Sequence, residues 1–276
     1  MKAVIGFVAL ATLAGTAMAS DISAVNGFKV ESRFWNDYPT SALTTANAFP
    51  SISWHEDFSG SPLPGPWANK HVAWLSDDGG ASRFGLHGGG EGAAYGGQSF
   101  SITTSVNISP TAGTDRRKEG ALFIRNPRPN HTPYYVDDGE VLVAGDNGEV
   151  AVFGGVMPFH SFGAFCYTPG TTASLTFSYF APGTASPTLG AYRLEFTDAV
   201  TGYHDSGMKF WGAAEPDGCV GFNNGTQIGF FAQNPRASNV QNDIVTTSYS
   251  ITNLVPAPGT LALLGLGGLV AGRRRR

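Results

Sequence analysis

The sequence predicts a mostly β protein: an antiparallel β-sandwich or jelly-roll-like domain between an N-terminal signal peptide and a short C-terminal transmembrane helix. The chain has 276 residues, with 37 glycines, 17 prolines and only 14% charged residues. That charged fraction lies below the usual quarter for soluble domains, and the Gly and Pro content favours turns over long helices. Short segments of alternating polarity with turns about every ten residues are typical of antiparallel sandwiches.

The clearest predicted strand covers residues 100–108, because bulky and small polar side chains alternate along FSITTSVNI. A glycine-flanked Asp-Asn pair at residues 145–148 predicts a hairpin turn. Residues 20–98 have a less regular pattern of polarity. They could form a long N-terminal extension or inserts into one sandwich. We expect a single domain over residues 20–253. The other predicted strands are 121–125, 140–144, 149–153, 174–180, 192–197, 227–232 and 244–251.

Residues 1–19 have the pattern of a secretory signal peptide. Lys2 supplies the positive start and residues 4–14 form an apolar stretch too short to span a bilayer comfortably. Ala17 and Ala19 supply the small residues of a cleavage site, so the mature chain is expected to begin near Ser20. The protein is therefore expected to be exported.

Residues 254–276 are predicted to be a sorting and anchoring tail. The apolar span from Gly259 to Gly272 has 14 residues, or about 21 Å as a helix, whereas a hydrocarbon core is about 30 Å thick. A terminal arginine cluster resists translocation and stays cytoplasmic. The tail therefore fits a transient membrane anchor. Its proline motif is Val255, Pro256, Ala257, Pro258, Gly259 and Thr260, and its stop-transfer residues are Arg273, Arg274, Arg275 and Arg276.

This order of proline motif, Gly/Leu/Ala-rich span and terminal arginines resembles the PEP-CTERM sorting signal. The resemblance covers only the last 22 residues, and Ala257 occupies the place where the family usually has Glu. It implies that an exosortase, a membrane protease-transpeptidase, processes the tail after export. It also implies a location at the cell surface or envelope, or outside the cell, among exopolysaccharide.

Charge and cysteine content narrow the possible partners. Without Lys2 and the four terminal arginines, 12 basic residues face 21 acidic ones, so the central region carries about nine net negative charges. Nucleic-acid binding depends on Lys and Arg at phosphates, so this class of partner is excluded. Cys166 and Cys219 are candidates for a disulfide, because export leads to an oxidising compartment.

No residue pattern identifies a catalytic, cofactor-binding or metal-ligating residue. Calcium is a candidate ligand for the acidic, glycine-flanked pairs Asp77-Asp78, Asp137-Asp138 and Asp146-Asn147. Aromatic side chains in loop-like stretches could stack on sugars; these are Trp54, Trp67, Trp74, Tyr95 and Trp211.

The primary functional expectation is a non-enzymatic structural or adhesive surface protein. The alternative is a carbohydrate-binding module or a secreted polysaccharide hydrolase. A glycosidase requires two carboxylates that converge on one cleft. Two glutamates that face each other in an aromatic groove would therefore indicate a hydrolase. The available glutamates are Glu91, Glu119, Glu140, Glu149, Glu195 and Glu215.

Overall fold

The computed structural model describes residues 22–34, 42–57, 69–77, 83–84, 97–110, 118–126, 138–212, 219–222, 225–234 and 244–256. The predicted signal peptide, residues 257–260 of the proline motif, the apolar span and the terminal arginines lie outside these ranges. Within the described ranges, no helix is long and apolar enough to cross a bilayer.

The described residues form one 3₁₀ turn (Ile22–Ala24) and sixteen strands. The strands are β1 (Gly27–Phe34), β2 (Ala42–Ala48), β3 (Ser51–Asp57), β4 (Asn69–Ser76), β5 (Arg83–Phe84), β6 (Phe100–Ile108), β7 (Glu119–Arg125), β8 (Asp138–Ala144), β9 (Val150–Gly154), β10 (His160–Gly163), β11 (Ala173–Phe180), β12 (Ala191–Asp198), β13 (Gly202–Asp205), β14 (Lys209–Phe210), β15 (Gln227–Asn234) and β16 (Ile244–Pro256).

The strands build two sheets, which confirms the mostly antiparallel β architecture. Sheet I has the order β10-β9-β8-β7-β15-β4-β1-β5, and sheet II has the order β13-β12-β11-β6-β16-β3-β2, with β14 beside β12. The short β1–β5 pair is parallel, and the other pairings among the described strands are antiparallel.

The strands predicted between residues 100 and 251 all form, and β6 has the predicted bounds. The largest difference is β16, which continues to Pro256. Val255 pairs with Ser101 and Pro256 with Phe100, so the start of the proline motif belongs to the sheet.

The N-terminal strands were the main part of the fold that the sequence pattern missed. Strands β1 and β4 enter sheet I, whereas β2 and β3 enter sheet II. Strand β2 reads ALTTANA and has no bulky alternation, so its place is set by pairing with β3 rather than by its own pattern.

The main core lies between the two sheets and is rich in buried aromatic residues. Tyr249 on β16 stacks on Phe230 of β15 with ring centroids 4.9 Å apart. Its hydroxyl donates to the Phe231 carbonyl oxygen at 2.6 Å. This contact joins sheet II to sheet I and gives the buried phenol its hydrogen-bond partner.

The expected disulfide is not formed: both buried cysteines are thiols, and they lie near opposite ends of β7. The Cys166 amide donates to Gly148, in the turn beyond the Glu119 end of β7. The Cys219 thiol contacts the Asn126 amide nitrogen, just beyond the other end. Seven strand residues span roughly 20 Å, whereas a bridge needs Cα atoms within about 7 Å.

Asp198, at the end of β12, holds two loops together. Its carboxylate accepts hydrogen bonds from the Val200 and Thr201 amides in the following turn. It also accepts from the amide and hydroxyl of Thr168 and from the Thr171 hydroxyl, in the loop before β11. Burial alone would raise the Asp198 pKa, but these hydrogen bonds outweigh it and lower the pKa to about 2.

We therefore expect Asp198→Asn to destabilise the chain by about 2 kcal/mol at pH 7, since one pKa unit corresponds to about 1.4 kcal/mol. A depressed carboxyl pKa stabilises the fold above its unfolded pKa, and that stabilisation is lost as pH falls. The difference between wild type and variant should thus shrink from pH 4 to pH 2. Urea unfolding across this range measures it, and a pH-independent difference would contradict the assignment.

Candidate functional site

Sheet I buries side chains on both of its faces. On the face away from the main core, a second apolar cluster contains Val72, Trp74, Phe123, Leu142, Ala144 and Phe231. Charged and amide side chains share this outer face, because strand residues alternate between the two faces. The outer face of sheet I is therefore an apolar floor that carries polar groups.

A buried ion pair lies on this floor. Arg125 on β7 faces Asp138 on β8, and two hydrogen bonds of 2.6 and 3.1 Å join the guanidinium to the carboxylate. The guanidinium carbon lies 5.1 Å from the centre of the Trp74 ring, a cation–π distance. Fork-to-fork pairing of this kind fixes the position of both side chains.

A second ion pair crosses the same floor. The Lys70 ammonium group binds the Glu140 carboxylate. On its way it passes over the rings of Phe123 and Phe231, at 4.8 and 5.4 Å from their centres. Together the two pairs supply cationic partners to Asp138 and Glu140 within a mostly apolar surface.

A cavity of about 420 Å³ opens beside these pairs. Its position follows from the strand register, which places Gln233, Glu119 and Ala144 side by side on β15, β7 and β8. The Ala144 amide donates to the carbonyl of Glu149, so Glu119 and Glu149 stand on either side of Ala144. The described residues lining the cavity are Glu119, Glu140, Leu142, Glu149, Phe153, Gly154 and Gln233.

Neighbouring polar groups orient both flanking carboxylates. The Gln233 amide donates to Glu119 at 2.5 Å, and the Ser161 hydroxyl donates to Glu149 at 3.1 Å. Two strand spacings separate the Glu119 and Glu149 backbones by roughly 10 Å. Two oriented carboxylates therefore face one cavity.

The adjacent His160 takes no part in this arrangement. It stands opposite Val152, a core residue, and its ring packs against Phe162 with centroids 4.8 Å apart. Burial, and then the charge of Lys209, lower the His160 pKa. His160 and Ser161 point to opposite faces of β10 and form no catalytic dyad.

Two exposed phenylalanines extend the cavity outward. Phe153 lines the cavity and is 42% exposed, and Phe159 is 66% exposed. Their rings meet edge to face, with centroids 5.5 Å apart. An exposed aromatic pair beside polar groups is suited to ligands that have both apolar faces and hydroxyl groups.

The structure shows which of the glutamates and aromatic residues named from the sequence lie at the cavity and which lie elsewhere. Glu119, Glu140 and Glu149 line the cavity, whereas Glu195 lies on sheet II in a cluster with Arg193. Glu91, Glu215, Trp67 and Tyr95 lie outside the described residues. The tryptophans with described side chains are buried, so they were wrong as sugar-stacking candidates: Trp54, Trp74 and Trp211.

Nothing local in the sequence singles out Gln233, Ser161, Phe153 or Phe159. The alternation around residue 153 was visible, but nothing local distinguishes an exposed phenylalanine from a buried one. The pairing of β7, β8, β9, β10 and β15 brings Gln233, Ser161 and Phe153 to the glutamates, and Phe159 reaches the site through its contact with Phe153.

The described members of the acidic pairs considered for calcium are not gathered into one site. Asp138 is engaged by Arg125, and the Asn147 side chain accepts a hydrogen bond from the Glu149 amide. Asp78 and Asp137 lie outside the described residues. Among the residues that are described, no three His, Cys, Asp or Glu side chains are close enough to share a metal ion.

A second groove, of about 340 Å³, lies on the outer face of sheet II. Its surface is built from small side chains that bond to each other across strands, such as Ser51 to Ser250 at 3.0 Å. Similar hydroxyl pairs continue along this face, at Thr103–Thr176 and Ser101–Ser178. The groove differs from the sheet I cavity because no charged residue is among its described lining residues.

Comparison with known proteins finds no matching family model and no matching curated protein. Among solved structures, a family 7 alginate lyase in complex with substrate matches with a TM-score of 0.43 and 7% identity over 75% of this chain and 79% of that chain. An alginate lyase from Klebsiella pneumoniae has a TM-score of 0.41 and 11% identity, over 85% and 96%. Lectin II from Ulex europaeus has a TM-score of 0.35 and 9% identity, over 83% and 100%. Because these TM-scores lie below 0.5, none of the three likenesses bears on the ligand of this chain.

The ion pair of Arg125 and Asp138 on the outer face of sheet I leads to a testable prediction about stability. Asp138→Asn should lower the free energy of unfolding by about 3 kcal/mol, because Arg125 would keep its charge in a buried site without its carboxylate partner. The paired change Arg125→Met with Asp138→Leu should recover most of this loss, since it removes both charges at similar volume. Chemical unfolding of the three chains measures both effects. Equal losses in the single and paired variants would contradict the assignment.

Proposed function

We propose that this protein is an exported glycan-binding protein whose ligand enters the cavity on the outer face of sheet I. The single observation that carries the proposal is the lining of that cavity. Oriented carboxylates and a carboxamide stand beside an exposed aromatic ring in one concave space.

This lining matches the chemistry of a sugar. Sugar hydroxyl groups donate to carboxylate oxygens and can accept from the amide of Gln233. The apolar C–H face of a sugar ring can cover the exposed face of Phe153. The volume of about 420 Å³ falls within the range of about 300–1,000 Å³ typical of small-ligand pockets.

The proposal includes the route by which the protein reaches its ligand. The signal peptide exports the chain, and the PEP-CTERM-like tail holds it briefly in the membrane until an exosortase-like enzyme processes it. The described part of β16 extends to Pro256, so the folded domain reaches the start of the proline motif, where the sorting tail is proposed to begin.

Polysaccharide hydrolysis is a second candidate function, favoured by the convergence of Glu119 and Glu149 on one cavity. Their backbone separation of roughly 10 Å is compatible with carboxyl groups about 6.5–9.5 Å apart, the range of inverting glycosidases. In that reaction one carboxyl protonates the departing glycosidic oxygen and the other takes a proton from the attacking water.

Binding to a polysaccharide panel tests the main proposal. The full-length chain in mild detergent would be tested against neutral, amino-sugar and uronic-acid polysaccharides, alongside Gln233→Ala and Glu149→Gln. We expect binding to at least one polymer, weakened about tenfold or more in each variant, because hydrogen bonds to charged groups contribute about 1.5–3 kcal/mol. Release of new reducing ends in the same mixtures, lost in Glu149→Gln, would establish hydrolysis.

The matched control is Glu195→Gln, which changes a glutamate on sheet II that accepts from Tyr203. This variant should bind like the wild-type chain. Failure of the wild type to bind any polymer would overturn the proposed function. Equal weakening of binding by Glu195→Gln would show that the cavity is not the binding site.

The sorting proposal has its own measurement. Intact mass and C-terminal peptide mapping of the protein from its native host, after separation of membrane, surface and medium fractions, should show loss of the residues beyond the 255–260 region. Added mass at the new terminus would identify what is attached there. A membrane-bound chain that retains Arg276 would instead mean that the tail is a permanent anchor.

A further inference from the structure

We infer that Phe153 and Phe159 form an outer sugar subsite, so that the protein binds an extended chain of several sugar units rather than one sugar or one chain end. This inference rests on the proposed function, because the outer subsite is defined relative to the cavity. It adds a class of ligand, a polymer chain that continues out of the cavity mouth.

The two rings lie side by side at the cavity. Phe153 belongs to the cavity lining, and Phe159 contacts Phe153 but is not among the described lining residues. The exposed fraction rises from 42% at Phe153 to 66% at Phe159, so the aromatic surface continues from the cavity into solvent. A chain that leaves the cavity over Phe153 would meet Phe159 next.

The backbone at Phe159 is held rigidly although the Phe159 ring is exposed. The carbonyl of the preceding Pro158 accepts the Tyr192 hydroxyl at 2.7 Å, and the Val156 carbonyl accepts the Trp211 indole N–H at 2.8 Å. The following residue, His160, is already paired with Val152 in sheet I. The backbone on both sides of Phe159 is therefore fixed by buried groups.

Rigid presentation of this kind distinguishes a binding surface from an incidental exposed side chain. An exposed phenylalanine gives up the stabilisation that burying its ring would supply. A fixed backbone reduces the entropy that is lost when a ligand covers the ring. The edge-to-face angle of 79° also orients the two rings differently, so successive sugar units could contact each ring in turn.

The two rings would contact different parts of a bound sugar chain. Phe153 stands opposite Glu140 in the register of β8 and β9, so a sugar over its ring lies within reach of the cavity carboxylates. Phe159 has no such place among the described cavity residues. Loss of the Phe159 ring should consequently weaken long ligands and leave short ones unaffected.

The test uses a size-graded set of neutral, amino-sugar and uronic-acid oligosaccharides of one to eight units, with the full-length chain and Phe159→Ala. For the wild-type chain we expect Kd to fall about tenfold or more between two and six units in one of the three series. In Phe159→Ala this gain should disappear, while the Kd for two units stays within twofold of wild type. Tyr203→Ala is the control, since Tyr203 is also exposed but lies on sheet II.

The possible outcomes distinguish failure of the outer subsite from failure of the proposed function. If the wild-type chain binds short oligosaccharides with no gain in length, or if Phe159→Ala keeps the gain, the outer subsite is overturned and the cavity proposal stands. If no oligosaccharide or polysaccharide binds the wild-type chain, the proposed function falls and the outer subsite falls with it. Equal losses in Tyr203→Ala and Phe159→Ala would also overturn the subsite.

Discussion

The ion pair between Arg125 and Asp138 is the constraint on which the outer face of sheet I depends. Both side chains are buried, and a buried charge is tolerated only when it is paired and hydrogen-bonded. The pair stacks on Trp74, next to Phe123, and so orders the aromatic side chains on this face. The pairing of Lys70 with Glu140 extends the same arrangement to a glutamate that lines the cavity.

The outer faces of the two sheets carry different kinds of side chain, although residues alternate between the inner and outer face in the same way in both sheets. In and beside its groove, sheet II presents small hydroxyl side chains that largely bond to one another, as Thr103 does with Thr176. Sheet I presents aromatic and charged groups in a concave space, where Gln233 and Ser161 orient carboxylates toward a shared cavity. A self-satisfied hydroxyl surface has less hydrogen-bonding capacity left for a ligand than an array of oriented carboxylates. This difference is why the proposed ligand is placed on sheet I.

Local patterns in the sequence were enough for most of the longer strands after residue 98, as the bounds of β6 demonstrate. They missed the short strands β10, β13 and β14. They failed for β2, whose small residues form a strand only because β3 offers a partner. For the site, the sequence could name Glu119, Glu140 and Glu149 but not group them, because their convergence depends on register between strands. The pairing of Cys166 with Cys219 was wrong for the same reason, since the length of β7 separates two thiols that export alone would have joined.

The most direct test of the central claim is an experimental structure of the protein with a bound oligosaccharide. The account predicts density for sugar units beside Glu119, Glu149 and Gln233, with a ring packed on Phe153. Density in the hydroxyl-lined groove of sheet II, with an empty cavity on sheet I, would contradict it.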